Sequence, residues 1–178
     1  IADSGSSGGE DLLELLEDYN NRAQGHSNYM PDFSNLSDVQ ENPAEGLLLR
    51  GAHGPIELLE EASAVDQELI RRCLDIIISG QRMDLERFQD KDGTGIRSLS
   101  RYEEMDDYAY RVAGSVGEFW TEICLEHAFE ASAEMKEELM SSGVRFGKAL
   151  QLINILRDIP EDLEIGRCYI PTDDLEKI

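Results

Sequence analysis

The chain has 178 residues, which is enough for one domain with a sizeable apolar core. Apolar residues make up 40% of it and charged residues 30%, a composition typical of a folded globular protein rather than a disordered one. The formal net charge of −22 excludes general binding to nucleic acid, because no basic surface is available to neutralise phosphates.

Helical periodicity dominates the chain from its first segments to its last. Helices are predicted, in chain order, over residues 9–23, 55–65, 66–80, 98–129 and 130–157. Pro55 is predicted at a first helical position, Asp66 as an N-cap and Gly80 as a helix end. Ser100 and Glu103 have the spacing of a capping box, which predicts a helix start there.

Strand signals are weak throughout the sequence. No stretch rich in Val, Ile and Thr alternates with polar residues between turn signals. Two polar stretches, 26–46 and 89–98, are predicted as loops, and a break in the last helix is predicted at 141–143. The sequence therefore predicts an all-α bundle.

A stripe of polar side chains follows the apolar segment near the C-terminal end. At helical spacing it comprises Gln151, Asn154, Asp158 and Asp162, with Glu161 beside it. A buried amide without a partner costs about 1–3 kcal/mol, and the C-terminus of a helix disfavours acids. A hard cation such as Mg²⁺ would resolve both problems. The alternative is a helix end that turns into solvent, where acidic residues are common.

Two arginines flank this stripe. Arg157 and Arg167 are the natural contacts for a phosphate group that a metal ion would bring to the stripe. Pro160 removes a backbone hydrogen bond and is predicted to kink or end the helix, which would move Asp162 off the ideal line. Upstream, Asp84 is predicted to cap, or to form a salt bridge with, the arginines nearby.

Two segments resemble the signatures of a known family. Residues 147–171, GKALQLINILRDIPEDLEIGRCYIP, resemble the second aspartate-rich motif of the squalene/phytoene synthases, the head-to-head isoprenoid synthases. Residues 108–120, YAYRVAGSVGEFW, resemble the family's other signature, and residues 79–88 resemble the helix end that precedes it. Two signatures in the right order are more specific than either alone.

The resemblance implies a fold and an extent. The fold is an all-α, isoprenoid synthase-type helical bundle, of which residues 1–178 would be the central portion, truncated at both ends. The opening residues IADS resemble the tail of the family's first acidic motif. On this resemblance Asp3 is the last carboxylate of that motif.

The resemblance also implies an activity. It points to a Mg²⁺-dependent prenyltransferase that joins two farnesyl diphosphates head to head, giving presqualene diphosphate and squalene, with NADPH required if squalene is the product. The stretch VGEFW leans toward squalene. The alternative within the family joins two geranylgeranyl diphosphates to phytoene. Alternatives from other classes are a non-catalytic helical relative or fragment and an acidic interaction module.

Site residues are carried over from the matching motifs. The implied metal ligands are Asp3, Asn154, Asp158 and Asp162. Tyr108 is implied as the active-site tyrosine, acting with Asp158 and Asp162 as the catalytic set. The implied substrate-binding residues are Gln151, Asn154, Arg157, Arg167, Val112 and Ser115. Val112 and Ser115 continue the helical stripe from Tyr108, which would line an apolar tunnel.

Two further expectations concern packing and location. Gly114 and Gly117 would allow a helix or a prenyl chain to approach closely, with helix–helix packing as the plain alternative. The N-terminus lacks the pattern of a signal peptide. We therefore expect a cytoplasmic protein. The resemblance implies prenyl diphosphates as its partners and, at most, peripheral contact with the membrane.

Overall fold

The computed structural model describes residues 9–40, 42–88 and 95–175 and is almost entirely helical in those ranges. The helices are α1 Gly9–Ala23, α2 Ser34–Asp38, α3 Pro43–Arg50, α4 His53–Glu61, α5 Ala64–Phe88, α6 Tyr102–Ala109, α7 Ser115–His127, α8 Ala133–Arg157, α9 Ile159–Glu164 and α10 Thr172–Leu175. A π-helical turn, Tyr110–Gly114, joins α6 to α7. Two short strands, β1 Arg97–Ser98 and β2 Arg167–Cys168, complete the fold. The all-α prediction is confirmed.

The chain divides into two compact units, residues 1–78 and 79–178. In the first unit the leucine-rich face of α1 is buried, as the sequence pattern predicts. Arg71 Nε donates to the carbonyl of Ala23 at 3.0 Å, which satisfies an acceptor at the C-terminal end of α1.

The prediction of one loop over residues 26–46 is wrong in two places, because α2 forms within it and α3 begins at Pro43. Asn42 caps α3 by accepting a hydrogen bond from the Ala44 amide at 3.0 Å, and Pro43 occupies the first turn. Glu45 Oε1 accepts from the Asn42 side chain at 3.0 Å. This start signal was readable in the sequence.

Helix α5 is longer than the sequence predicts at both ends. Ser63, rather than Asp66, supplies the capping oxygen, which accepts from the Asp66 amide at 3.1 Å. Gly80 does not end the helix but lies buried within it. A Cβ at Gly80 would lie 2.9 Å from Cγ1 of Val112, so its small size allows α5 to touch the π turn.

In the second unit, α8 packs along the π turn and α7 through glycines. A Cβ at Gly117 would lie 2.0 Å from the carbonyl oxygen of Gly143, and one at Gly147 would lie 2.1 Å from that of Ala113. The predicted break at 141–143 is wrong, because α8 is continuous. Gly143 serves close helix packing there instead. This contact favours helix–helix packing as the role of Gly117.

A two-residue parallel bridge brings residues 167–168 beside residues 97–98, which precede α6. Arg97 pairs with Arg167 and Ser98 with Cys168. The Leu99 amide then donates to the Cys168 carbonyl at 3.1 Å. Strands this short carry no alternating pattern, so they could not be predicted from the sequence.

Helix α6 begins one residue later than the predicted capping box. Arg101 is its N-cap residue, and Glu104, rather than Glu103, accepts from the Ser100 amide at 2.8 Å. Among the described residues no helix is long and apolar enough to cross a membrane.

Candidate functional site

The polar stripe from Asn154 to Asp162 remains helical although Pro160 lies within it. Helix α8 ends at Arg157 and α9 starts at Ile159, with Pro160 in its first turn, so the predicted helix end is confirmed. The Asp158 amide still donates to the Asn154 carbonyl, and the Asp162 amide to the Asp158 carbonyl, each at 2.9 Å. The backbone therefore advances by one helical turn at each step, from Asn154 to Asp158 and on to Asp162.

The start of α9 at Ile159 removes one argument for a cation, namely that the acids lie at the C-terminus of a helix. Glu161 and Asp162 lie in the first turn of α9, where the helix dipole favours acids rather than opposing them. The two amides upstream also have a partner, because Asn154 Nδ2 donates to Gln151 Oε1 at 3.5 Å. That distance is at the limit for a hydrogen bond, so both amides retain capacity for another ligand.

Asp158 is held by its neighbour in the sequence. Arg157 Nε lies 2.6 Å from Oδ1 of Asp158, and Nη2 lies 2.7 Å from Oδ2. These charge-assisted hydrogen bonds hold the pKa of Asp158 below its usual value. Both side chains are solvent-accessible, so the ion pair contributes little to stability and can exchange for other partners.

A buried polar cluster lies beside this stripe in the same unit. The carboxylate of Asp84 is 3.1 Å from Arg167 Nη1, and it accepts a hydrogen bond from the hydroxyl of Tyr169. The ring of Tyr169 stacks on that of Tyr108, and Phe88 packs edge-on against Tyr169 with 5.0 Å between ring centroids. The arginine that pairs with Asp84 here is Arg167, 83 residues away in the sequence, whereas the prediction named the arginines nearby.

The electrostatics link Tyr108 to the stripe. Burial, the charge of Asp84 and the charge of Asp162 raise the pKa of Tyr108 to about 12, and Arg167 partly offsets them. The phenol of Tyr108 is therefore protonated at neutral pH. The contribution from Asp162 means that the acidic stripe and the tyrosine lie within electrostatic range of each other.

Apolar side chains surround the polar cluster. Leu99, Ile155 and Tyr169 are buried together, and the residues packed against them are Phe88, Met105, Tyr108, Leu152 and Ile170. Ile155 and Leu152 belong to the same turns of α8 that carry Gln151 and Asn154. The site thus has an acidic edge next to an apolar, aromatic interior.

Val112 and Ser115 are displaced by the π turn. The Ser115 amide donates to the Tyr110 carbonyl, five residues back, so the ideal α-helical stripe from Tyr108 does not continue unchanged. Val112 contacts Gly80, and the buried hydroxyl of Ser115 donates to the Arg111 carbonyl at 2.8 Å. Their role as tunnel lining stays a prediction.

The donors of the stripe suit a hard cation. Carboxylate and amide oxygens are the ligands that Mg²⁺ prefers, and it completes its shell with water or substrate phosphate. Within residues 9–40, 42–88 and 95–175, however, no group of three or more His, Cys, Asp or Glu side chains is placed to hold a metal ion. The stripe accordingly fits part of a Mg²⁺ site, and Asp3 lies outside the described residues.

Sequence reasoning missed the part played by Tyr169. It lies near the end of the resembling segment 147–171 and shows only as one aromatic residue in the stretch RCYIP. Its importance comes from the β1–β2 bridge, which places residues 167–169 beside 97–99. No periodic signal in the sequence announces that bridge.

The fold and the site define a class of all-α proteins. In it, a stripe of acids and amides lies beside a stacked pair of tyrosines, here Tyr108 and Tyr169. The model of the squalene/phytoene synthase family matches residues 8–178. The chain belongs to that family.

Several relatives of the chain carry phytoene synthase in their names. The chain is 37% identical over 105 residues to 15-cis-phytoene synthase of Synechocystis sp., covering 57% of this chain and 28% of that protein. It is 39% identical over 104 residues to the bifunctional lycopene cyclase/phytoene synthase of Gibberella fujikuroi, covering 58% of this chain and 17% of that protein.

A plant relative matches a longer stretch. Phytoene synthase 3, chloroplastic, of Zea mays is 34% identical over 130 residues, covering 68% of this chain and 27% of that protein. The match thus spans less than a third of each of these three relatives. No solved structure matches the chain significantly.

Proposed function

We propose that the protein is a phytoene synthase-type prenyltransferase that joins two geranylgeranyl diphosphates head to head. Membership of the family supports prenyl transfer, and the names of the relatives support the C20 substrate over the C15 substrate that VGEFW favoured. NADPH was expected only for squalene and is not part of this proposal. The observation that carries the proposal is that the turns of α8 bearing Gln151 and Asn154 pack Leu152 and Ile155 into the same apolar cluster as Tyr108.

The acidic stripe is the end of the site that receives diphosphate. Asn154, Asp158 and Asp162, with Asp3, are proposed to hold Mg²⁺, which supplies Lewis-acid help to the leaving diphosphate when bound. Arg157 is solvent-accessible and paired only with its neighbour among the contacts described above, so it can turn toward a phosphate oxygen.

Gln151 and Arg167 are proposed as further substrate contacts. The Gln151 amide shares only a 3.5 Å hydrogen bond with Asn154, which leaves it free to bond a phosphate oxygen. Arg167 is more buried, because it forms an ion pair with Asp84. Its positive charge would attract the diphosphate from the interior of the protein.

Tyr108 lies where the acidic edge meets the apolar interior. Its protonated phenol can donate a hydrogen bond to a departing diphosphate oxygen, and its ring face can stabilise a neighbouring allylic cation. The apolar side chains around it suit a prenyl chain and exclude water, which would otherwise capture the cation. Val112 and Ser115 are kept as proposed tunnel residues.

The test is a condensation assay with the protein at its full natural length. It is incubated with Mg²⁺ and radiolabelled geranylgeranyl or farnesyl diphosphate, with and without NADPH, beside Asp158→Asn. A C40 hydrocarbon that needs Mg²⁺ but no NADPH, and that is lost in Asp158→Asn, is the expected result. A C30 product would return the assignment to squalene. Folded protein that condenses neither substrate would leave a non-catalytic helical relative or an acidic interaction module.

The location follows from the proposed product. A cytoplasmic protein that releases a C40 hydrocarbon has to pass it to a membrane, so we expect peripheral contact with lipid. The net charge of −22 predicts binding to neutral vesicles rather than anionic ones. Co-sedimentation with vesicles of each kind measures this, and equal absence from both pellets would contradict it.

A further inference from the structure

Asp84 is a carboxylate in an interior position. It lies near the end of α5, its side chain is only 6% exposed, and both of its oxygens are engaged. Removing a carboxylate from water costs several kcal/mol, and well-packed apolar residues often replace a buried ion pair without loss of stability. Stability alone therefore does not account for an acid at this point.

The partners of Asp84 lead toward the proposed site. Arg167 fixes one carboxylate oxygen at 3.1 Å, and the other oxygen accepts from the Tyr169 hydroxyl. Tyr169 is held on its faces as well, because Phe88 packs edge-on and Tyr108 stacks against it. With its hydroxyl and its ring both constrained, Tyr169 has one orientation.

That orientation reaches Tyr108 through the ring stack. The two rings lie nearly parallel, with 4.7 Å between their centroids. Asp84 is thus linked to Tyr108 through Tyr169, whose hydroxyl bonds to the carboxylate and whose ring stacks on the Tyr108 ring. Movement of Asp84 would release Tyr169 and with it the position of the Tyr108 hydroxyl.

We propose that Asp84 is a positioning residue for the condensation, which fixes the Tyr108 hydroxyl through Tyr169. This inference rests on the proposed function and extends it to a residue of the segment 79–88, to which the resemblance assigned no role. The two oxygens of Asp84 are engaged by Arg167 and Tyr169, so the role proposed for it is indirect. Its effect is on turnover, which depends on the placement of Tyr108, and much less on the binding of prenyl diphosphate at the acidic edge.

The kinetic test compares two acids of α5 in the full-length protein. Asp84→Asn keeps the size and an acceptor oxygen but removes the charge that holds Arg167. We expect kcat to fall about tenfold and KM to rise by a smaller factor, because the release of Arg167 also weakens its contact with diphosphate. Glu86→Gln makes the same charge change at an exposed position of the same helix, and wild-type kcat is expected. Wild-type turnover in Asp84→Asn would overturn the proposal.

A double-mutant cycle separates positioning from a general structural effect. If Asp84 acts through Tyr108, adding Asp84→Asn to Tyr108→Phe lowers kcat by less than about threefold further. Losses that multiply in full would show that Asp84 acts independently of Tyr108, and the proposal would be wrong. Melting temperatures of all variants are measured alongside.

A readout without turnover keeps this inference distinct from the proposed function. In protein labelled with 3-fluorotyrosine, the ¹⁹F resonance of Tyr108 is assigned by its loss in Tyr108→Phe. Asp84→Asn is expected to shift or broaden this resonance, while that of Tyr19, in the first unit, stays unchanged. If wild type condenses nothing, the proposed function fails but the spectrum still tests the positioning. An unmoved Tyr108 resonance would overturn the positioning even in an active enzyme.

Discussion

The ring of Tyr108 lies nearly parallel to the ring of Tyr169, with 4.7 Å between their centroids and 22° between their planes. Tyr108 begins one of the two family-like segments and Tyr169 lies near the end of the other. The stack is therefore one of the points where the two segments meet. Burial raises the pKa of both phenols, and the charge of Asp84 adds to it.

The first prediction concerns stability at alkaline pH. Tyr108 keeps its proton up to a pKa of about 12 in the folded state but loses it near pH 10 when unfolded. Its contribution is thus complete below pH 10 and is lost as the pH rises to 12, by roughly 3 kcal/mol in the free energy of unfolding. Tyr108→Phe should flatten this decline, since Phe has no proton to lose.

Urea unfolding at intervals between pH 8 and pH 12 measures the effect. Tyr29→Phe is the control, because Tyr29 is exposed and lies in the first unit. The same decline in Tyr108→Phe as in wild type would show that this phenol is not shielded as described.

A second prediction addresses the ion pair between Asp84 and Arg167. Arg167→Met leaves the carboxylate of Asp84 buried without its cation, which should cost about 3 kcal/mol of stability. Adding Asp84→Asn removes the buried negative charge, so the double variant should be more stable than Arg167→Met alone. Denaturant unfolding at pH 7 measures all three proteins.

Arg82→Met is the matched control for this pair. Its ion pair with Glu86 is on the same helix but is solvent-exposed, so its loss should cost less than about 1 kcal/mol. If Arg167→Met is as mild as the control, the pair is not buried in solution.

Much of the fold was predictable from local pattern. The all-α class, α1 at its observed bounds and the helix end at Pro160 followed from apolar periodicity and proline geometry. Gly80 and the stretch 141–143 were misread as helix breaks because glycine usually weakens a helix. In both places tertiary packing overrides propensity, since another backbone or side chain occupies the space of the missing Cβ.

The candidate site was only partly accessible from sequence. Spacing alone predicts the stripe from Asn154 to Asp162, because it is local to one helical region. The contact of Asp84 with Arg167 and Tyr169 depends on a bridge of two residues per strand, which leaves no pattern. The π turn was equally invisible, and it is what displaces Val112 and Ser115 from the simple helical face.

A third prediction tests the close packing of α7 on α8. Gly117→Ala would place a Cβ 2.0 Å from the Gly143 carbonyl oxygen, so the helices must separate, at a cost of about 3 kcal/mol. Gly54→Ala is the control, because Gly54 also lies in a helix but has open space at its Cβ. The control should be stabilised by up to about 1 kcal/mol through helix propensity. Equal effects of the two substitutions, measured by thermal unfolding, would contradict the packing.

The last prediction asks whether the acidic stripe holds the metal ion. Asp162 and Glu161 are adjacent acids in the first turn of α9, but only Asp162 continues the stripe and acts on Tyr108. Asp162→Asn should raise the Mg²⁺ concentration for half-maximal condensation at least about tenfold, because a charged oxygen ligand is lost. Glu161→Gln removes the same charge from an exposed position and should leave that concentration unchanged.

The comparison of neighbours excludes a general effect of net charge, because both variants lose one negative charge from the same helical turn. Rates are measured with geranylgeranyl diphosphate over a Mg²⁺ series at constant ionic strength, so that screening is equal in all samples. A parallel increase in both variants would mean that α9 attracts cations only through its total charge. An unchanged Mg²⁺ dependence in Asp162→Asn would remove this residue from the proposed metal ligands and place the ion elsewhere.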